Sequence, residues 1–428
     1  MWNALLEESH MADCNMQGVL LLEQAQAALA SRLSTELELE SLPLLTALGR
    51  VLAKPVLARL PSPLFDNSAM DGFALKAADL ASQAALPICG TALAGHPFTG
   101  EWPDGAVVRI MTGAPVPDGC AAVVMQEQTC CDGEAITLQA QVRAGQNIRR
   151  AGEDILAGSR VLAAGERLTA RNLPLLAAVG VSHVDVFKPL KVAFFSSGDE
   201  LKGVDEPLGP GQIIDSNRYA LHALLTRLGC ELLDLGVIPD DKAALRDAFV
   251  YADAHADVLI SSGGVSVGEA DYTKAILAEL GEVAFWKVAI KPGKPFACGR
   301  LVHAPRRSWF FGLPGNPVSA LVTFLLLVRP ALEQLMGLTV SEPLRFKATT
   351  TEPLKLSAGR IDFQRGIVSQ GADGRLSVAL AGEQGSGMFM ALSRANCLIR
   401  LDANAEPDRK VLEAGSEVEI VLFDEVMK

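Results

Sequence analysis

The residues best equipped for chemistry lie in three short turns between Ser261 and Ser319. Ser261-Ser-Gly-Gly-Val-Ser-Val-Gly-Glu-Ala-Asp271 follows the apolar run Val258-Leu-Ile and leads into helical patterning over Thr273 to Leu280. Its glycines can bring backbone N–H groups close to a phosphate. That makes Ser262, Gly263, Gly264, Ser266 and Gly268 candidate substrate-binding residues. Gly312-Leu-Pro-Gly-Asn-Pro317 follows Trp309-Phe-Phe and contributes Pro314, Gly315 and Asn316, with Asn316 as N-cap and Pro317 at the first position of a long apolar helix. A helix start of this kind is electropositive.

Between them stands Lys291-Pro-Gly-Lys-Pro295, in which Lys291 and Lys294 each precede a proline. The prolines bias both lysines towards extended backbone and restrict a loop that carries two cations. Ammonium groups about 5 Å apart repel by roughly 3 kcal/mol at an effective dielectric near 20, so they should splay into water unless an anion lies between them. Flanked by two phosphate-type turns, the pair reads as part of an anion site rather than a solvated surface.

From Lys191 to Leu335 strands and helices alternate. The strands are Val192-Ala-Phe-Phe, Glu231 to Ile238, Asp257 to Ile260, Val283 to Val288 and Trp309 to Phe311; helices cover Ser216 to Leu228, Asp241 to Ala252, about 273 to 280, and the run from Val318. This alternation predicts a parallel sheet covered on both faces, with ligands outside the carboxyl ends of its strands. Asp199-Glu200, Asp215-Ser-Asn217, Asp240-Asp241 and two of the three turns all fall at that edge. Carboxylates at that edge, such as Asp240 and Asp271, lie beside the phosphate-type turns and are of the kind a hard cation takes.

Elsewhere the chain reads differently. Helical spacing runs from Val19 to Leu33, over Leu42 to Leu48 and over Thr169 to Ala178, while short strands over Ala106 to Met111, Ala121 to Gln126 and Ala135 to Val142 predict a compact β domain. Strands over Arg345 to Thr350, Leu376 to Leu380 and Glu417 to Leu422 predict a second one at the C-terminal end.

The chain has 428 residues, a hydrophobic fraction of 49% and a net charge of -12. With a pI near 5.1 and no basic run, nucleic acid is not its expected partner. No signal peptide or membrane span is expected, because the longest apolar run, Val318 to Val328, is interrupted by Ser319 and Thr323 and read as a core helix. Eight cysteines without Cys-x-x-Cys point to a reducing cytoplasm, and six scattered histidines argue against structural zinc.

The three turns, together with Phe65-Asp-Asn-Ser-Ala-Met-Asp-Gly72, Arg109-Ile-Met-Thr-Gly-Ala-Pro115 and Asn147-Ile-Arg-Arg-Ala-Gly-Glu-Asp154, resemble the MoeA/gephyrin family of molybdopterin molybdenumtransferases. The similarity runs from about Val19 onwards and departs at Phe73, where the family often has Tyr, and at Gly387-Met-Phe-Met390. It implies an enzyme that inserts molybdenum from molybdate into adenylated molybdopterin and releases AMP with Mg2+ present. It also implies a homodimer, with the site formed where the N-terminal part of one chain meets the α/β domain of the other. By residue, it assigns Lys291 and Lys294, with Arg365 of Gln364-Arg-Gly366 and Ser386 of Gln384-Gly-Ser386, to a molybdate pocket. Asp71, Thr112, Asp154, Glu200, Asp240, Asp271 and Lys287 match further residues the family uses, and Asp215 joins the substrate-binding set.

The resulting architecture is a multidomain α/β plus β protein. An extension (1–16) precedes a helical linker domain (17–60 with 156–188), and an inserted β domain spans 61–155. A three-layer doubly wound α/β domain of MogA type spans 189–339, and a barrel-like β domain spans 340–428. Two competing readings are a gephyrin-type scaffold, which would call for a fused adenylyltransferase domain and long linker, and a nucleotide pyrophosphatase or sister adenylyltransferase indifferent to molybdate. The adenylyltransferase that makes the substrate is an expected partner.

Overall fold

Adjacent Phe194 and Phe195 are both buried, at 0% and 1% exposure, although a strand sends neighbouring side chains to opposite faces. Both faces of their sheet must therefore be covered, as the alternating pattern requires. This is seen in a computed structural model that describes residues 19–264, 271–304, 307–340, 342–403, 409–424 and 426–427. Ser266 and Gly268 lie outside the described residues, and Asp271 is described through its backbone only. The fold divides into two compact units, Glu40–Val186 and the remainder.

In the larger unit seven strands form one sheet: β1 (Val19–Leu20), β2 (Lys191–Ser197), β3 (Glu231–Ile238), β4 (Val258–Ser262), β5 (Gly281–Val288), β6 (Pro295–Leu301) and β7 (Trp309–Leu313), in the order β1-β5-β6-β7-β4-β2-β3. Strands β3, β2, β4 and β7 are mutually parallel, with Val258 to Ser262 opposite Trp309 to Leu313. Strand β6 runs antiparallel to both β5 and β7. The sheet is thus mixed rather than parallel throughout. The reason is local: Lys291-Pro-Gly-Lys-Pro295 reverses the chain and leaves room for β6, a strand whose Gly299 and Arg300 hide its pattern.

Helices α1 (Leu22–Ala30), α2 (Ser216–Leu228), α3 (Lys242–His255), α4 (Asp271–Leu280) and α5 (Pro317–Thr323) complete this domain. Phe194 meets His222 of α2 at 6.4 Å between ring centroids, while Phe195 meets Phe249 of α3 at 5.7 Å, so the two helices cover opposite faces. Asp215 and Asp241 cap α2 and α3, accepting from the backbone N–H groups of Arg218 and Ala244. Gly229 ends α2 in the left-handed region, at φ 85°.

Helix α5 continues through a π-turn, Phe324–Val328, into α6 (Arg329–Leu335). The cause is Pro330, which has no N–H to give the carbonyl of Leu326 four residues earlier. Gln26 of α1 supplies the missing donor, its Nε2 lying 2.9 Å from Leu326 O. Helix Pro317–Leu335 is long and apolar enough to cross a membrane, but 67% of it is buried inside this fold, so here it is a core helix.

Beyond it, Arg345–Thr350, Ile361–Gln370, Leu376–Leu380, Cys397–Asp402 and Glu417–Leu422 close into a barrel, because Ile361–Gln370 pairs with both Leu376–Leu380 and Cys397–Asp402. Ala348, Val378, Ile399, Val418 and Ile420 fill it. Closure removes the sheet edges. The short strand Ile290–Lys291 pairs with this barrel, Lys291 standing in register with Asp362.

The unit Glu40–Val186 holds a six-stranded sheet in the order Ala122–Met125, Gly72–Leu75, Val107–Ile110, Leu86–Ala92, Ala135–Leu138, Thr129–Cys131. Phe73 and Leu75 pack on one of its faces and Ala74 and Val108 on the other. Leu42 to Leu48 forms a single 3-10 turn, Leu44–Thr46, rather than a helix, because Leu39–Pro43 is extended as a strand.

Replacing Gln26 by Leu should cost about 1 kcal/mol, because Leu326 O loses its donor. Pro330→Ala should recover part of that cost by restoring an N–H. Urea unfolding of the single and double variants checks both, and additive effects would show that Gln26 and Pro330 do not share this carbonyl.

Candidate active site

The carboxyl ends of β2, β4 and β7 open on one cavity of about 370 Å³. Its walls include Glu200, Asp215, Asn217, Asp240, Ser262, Gly263, Gly264, Pro314, Gly315, Asn316 and Ser319, so the first and third turns face each other across it. The volume falls within the range of small-ligand sites. Only glycine fits at two of these positions. Gly263 has φ +92° and an added Cβ would lie 2.7 Å from Ser197 O; Gly264 has φ +68° and would press on Ser197 Oγ and Thr273 Oγ1 at 3.1 Å.

The turns are tied from behind. Asn217, 8% exposed, donates through Nδ2 to Ser262 Oγ and to Gly315 O, each at 2.7 Å. One side chain therefore sets the gap between the two cradles. Asp215, 2% exposed, accepts from Ser196 Oγ (3.0 Å) and Arg218 N (3.2 Å) with Oδ1. Its buried Oδ2 takes no partner among the described residues.

The start of α5 differs from expectation in two ways. Asn316 is the N-cap, but its side chain makes no capping bond and is left to the cavity. The N–H of Val318 is already used, donating to Ser386 O at 3.0 Å. Ser386 thus joins this corner through its backbone.

The lysine loop lies against the same helix, where Gly293 O accepts from Thr323 Oγ1 at 3.4 Å. Lys287 and Lys294 are exposed. Lys291 does not splay into water: its Nζ donates to Ser357 Oγ (2.7 Å) and Asp362 Oδ2 (3.1 Å). Arg365 is 1% exposed and donates through Nη2 to Glu383 O (3.1 Å) and Gly385 O (3.0 Å), while its Nε is buried without a partner among the described residues. Gln384 reciprocates on the Arg365 backbone, accepting from its N–H and donating to its carbonyl. This pairing joins two Gln-containing motifs 20 residues apart. Burial pushes the guanidinium pKa down and the charge of Asp362 opposes that push.

Glu200 and Asp240 stand exposed on the cavity rim, and the N–H of Asp240 donates to Asp199 Oδ1 at 3.1 Å. Among the described residues no three His, Cys, Asp or Glu side chains converge as a metal cage.

In the other unit Asp71 and Thr112 do come together. Asp71 Oδ1 accepts from Thr112 N at 2.7 Å and from Thr112 Oγ1 at 2.8 Å. The backbone N–H, then the hydroxyl, hold the Asp71 carboxyl below its usual range. Asp154 is exposed, and its N–H donates to Ser62 O. Arg150 pairs with Asp66 at 2.6 Å rather than with Asp154.

Three protein-family models match the chain: "MoeA N-terminal region (domain I and II)" over residues 20–180, "Probable molybdopterin binding domain" over 193–334, and "MoeA C-terminal region (domain IV)" over 347–423. The molybdopterin molybdenumtransferase of Haemophilus influenzae is 46% identical over 411 residues, covering 96% of this chain and 100% of that protein. This chain belongs to the MoeA family. A second molybdopterin molybdenumtransferase, from Nostoc, is 36% identical across 86% of this MoeA-family chain and 86% of its own length. A crystal structure of the molybdopterin biosynthesis moeA protein from Pyrococcus horikoshii superposes with a TM-score of 0.80 at 27% identity, over 95% of this chain and 100% of that one. The cavity-lining turns fall within the matched molybdopterin-binding stretch, and Arg365 and Ser386 within the domain IV stretch.

Sequence reasoning passed over Asn217 and Asp362 in this MoeA-family chain. Asn217 was legible only as part of Asp215-Ser-Asn217, and nothing local to Asp362 reveals that a strand from another domain brings Lys291 opposite it.

Asn217→Ala should lower stability by about 2 kcal/mol, the loss of one buried and one partly buried bond, whereas Lys294→Ala should stay within about 0.5 kcal/mol. Chemical denaturation distinguishes them. Because the folded pKa of Asp71 is depressed, whatever stability it adds is present above its unfolded pKa and lost as pH falls through the folded one. A carboxyl-carbon NMR titration should find Asp71 below the ordinary carboxylate range, and Thr112→Val should move it up.

Proposed function

We propose that this chain is a molybdopterin molybdenumtransferase: it takes adenylated molybdopterin and molybdate, transfers molybdenum to the dithiolene sulfurs and releases AMP. The observation that carries this reading is the cavity walled by two glycine turns held together through Asn217, in a MoeA-family chain that aligns over nearly its whole length with named transferases. Backbone N–H groups around Gly264, Gly315 and Asn316 would receive the adenylate phosphates, with Ser262 and Gly263 lining the cradle and the Gly263 N–H itself donated to Leu313 O. Ser266 and Gly268 would extend that cradle, with Asp215 and Pro314 shaping its floor.

Molybdate is a tetrahedral dianion and needs fixed cations. Lys294, Lys291 and Arg365 would supply them, with Ser386 adding a hydroxyl and Lys287 a charge nearby. Mg2+ fits the oxygen donors of the rim. An ion that keeps several waters and takes one or two carboxylates plus substrate phosphate needs no closed cage, and Asp240 and Asp271 are the residues that would hold it. When bound it would neutralise phosphate charge as AMP departs. Asp71, Thr112 and Asp154 would be further residues acting on the substrate, Asp71 and Thr112 as a hydrogen-bonded pair. We further propose a cytoplasmic homodimer that receives its substrate from the adenylyltransferase of the same route.

AMP release from adenylated molybdopterin, measured with and without molybdate, tests the reading. Release that depends on molybdate supports it, whereas equal release in both would favour a pyrophosphatase. Lys294→Ala should lower molybdate-dependent turnover at least tenfold with unchanged melting, and Asp240→Asn should shift the Mg2+ titration to higher concentration. Wild-type behaviour of both variants would return these side chains to the solvated surface.

A further inference from the structure

Lys291 is an ion-paired cation. Its Nζ donates to Asp362 Oδ2 (3.1 Å) and to Ser357 Oγ (2.7 Å), and Ser357 Oγ donates to the same Asp362 oxygen (2.9 Å). Gln364 Nε2 adds a longer contact to that oxygen, 3.3 Å, while also donating to Lys355 O at 2.8 Å. The lysine side chain is 48% exposed and the aspartate side chain 4%. Backbone pairing of Lys291 with Asp362 holds the two in register, so the ion pair is built into the junction of loop and barrel. An ammonium has three donors, and two of them are committed here.

We propose that Asp362 is the affinity-setting residue of the oxyanion site. It fixes the position of the Lys291 ammonium while its own charge offsets that of the lysine, so a dianion meets an ordered donor with little net attraction. The inference rests on the proposed function, which makes the oxyanion a substrate to be handed on rather than a ligand to be kept. The same carboxylate charge reaches Arg365, whose guanidinium it opposes in charge. A site with Lys291, Lys294 and Arg365 unopposed would hold a dianion far more tightly than transfer of its metal permits.

Asp362→Asn separates position from charge, because an amide oxygen can accept the same donors. Molybdate titrated calorimetrically into the full-length variant should bind at least tenfold more tightly than to wild type. Turnover should show a lowered KM for molybdate together with a lowered kcat, a split that a merely structural role would not produce. Sulfate should follow molybdate in affinity order, since charge rather than the central atom sets the effect. Asp362→Ser also removes the charge while keeping an acceptor oxygen, and it too should bind molybdate at least tenfold more tightly than wild type.

Affinity in Asp362→Asn equal to or below wild type, with melting preserved, would overturn the proposal. Should Asp362→Asn fold poorly, affinity in Asp362→Ser equal to or below wild type overturns it equally. Molybdate binding that is lost in Lys294→Ala but unmoved in Asp362→Asn defeats this inference alone. No molybdate binding in wild type defeats the oxyanion reading along with it.

Discussion

Two hydrogen bonds from one amide hold the candidate site in shape. Glycine turns can approach a phosphate because they lack side chains, and for the same reason they have little of their own to keep them in place. Asn217 solves this from behind the cavity, joining Ser262 after β4 to Gly315 after β7. Those strands are parallel neighbours in register, so the sheet brings the turns to one level and the amide sets the remaining distance. Removing the clamp would leave the strands intact and the cradles unmatched.

The electrostatics are those of a chain that is acidic overall and to which we assign anionic substrates. With a net charge of -12 it cannot rely on a general positive field. Each cation is placed individually: Arg365 is sunk at 1% exposure and braced by carbonyls, Lys291 is tethered to a buried aspartate, and Lys294 stands exposed. Local order substitutes for bulk charge. Asp71 shows the same economy in the other unit, where the N–H and hydroxyl of one threonine lower its pKa.

Much of this was legible in the sequence, and the reasons for what was not are physical. The turns, the strand-helix alternation and the caps at Asp215 and Asp241 are local, so residue type and spacing suffice. Strand β6 was hidden because it follows directly on Lys291-Pro-Gly-Lys-Pro295 and carries Gly299 and Arg300, which break a strand's alternation. The use of Val318 N–H by Ser386 O, and of the Lys291 ammonium by Asp362, joins residues about 70 apart through domains whose packing no local pattern encodes. Family resemblance located Lys291 but said nothing of its counter-ion.

The bond from Gln26 to Leu326 O spans 300 residues. On a ribosome adding roughly 5 to 20 residues per second, α1 waits about 15 to 60 seconds for the helix whose π-turn it completes. Its apolar face, Leu22, Ala25, Ala28 and Leu29, stays uncovered throughout that interval, while the unit Glu40–Val186 has all of its own residues and can fold as it emerges. Made before every other helix among the described residues, α1 is thus among the last to be seated, and the α/β domain closes around a segment that left the ribosome before that domain's main strands.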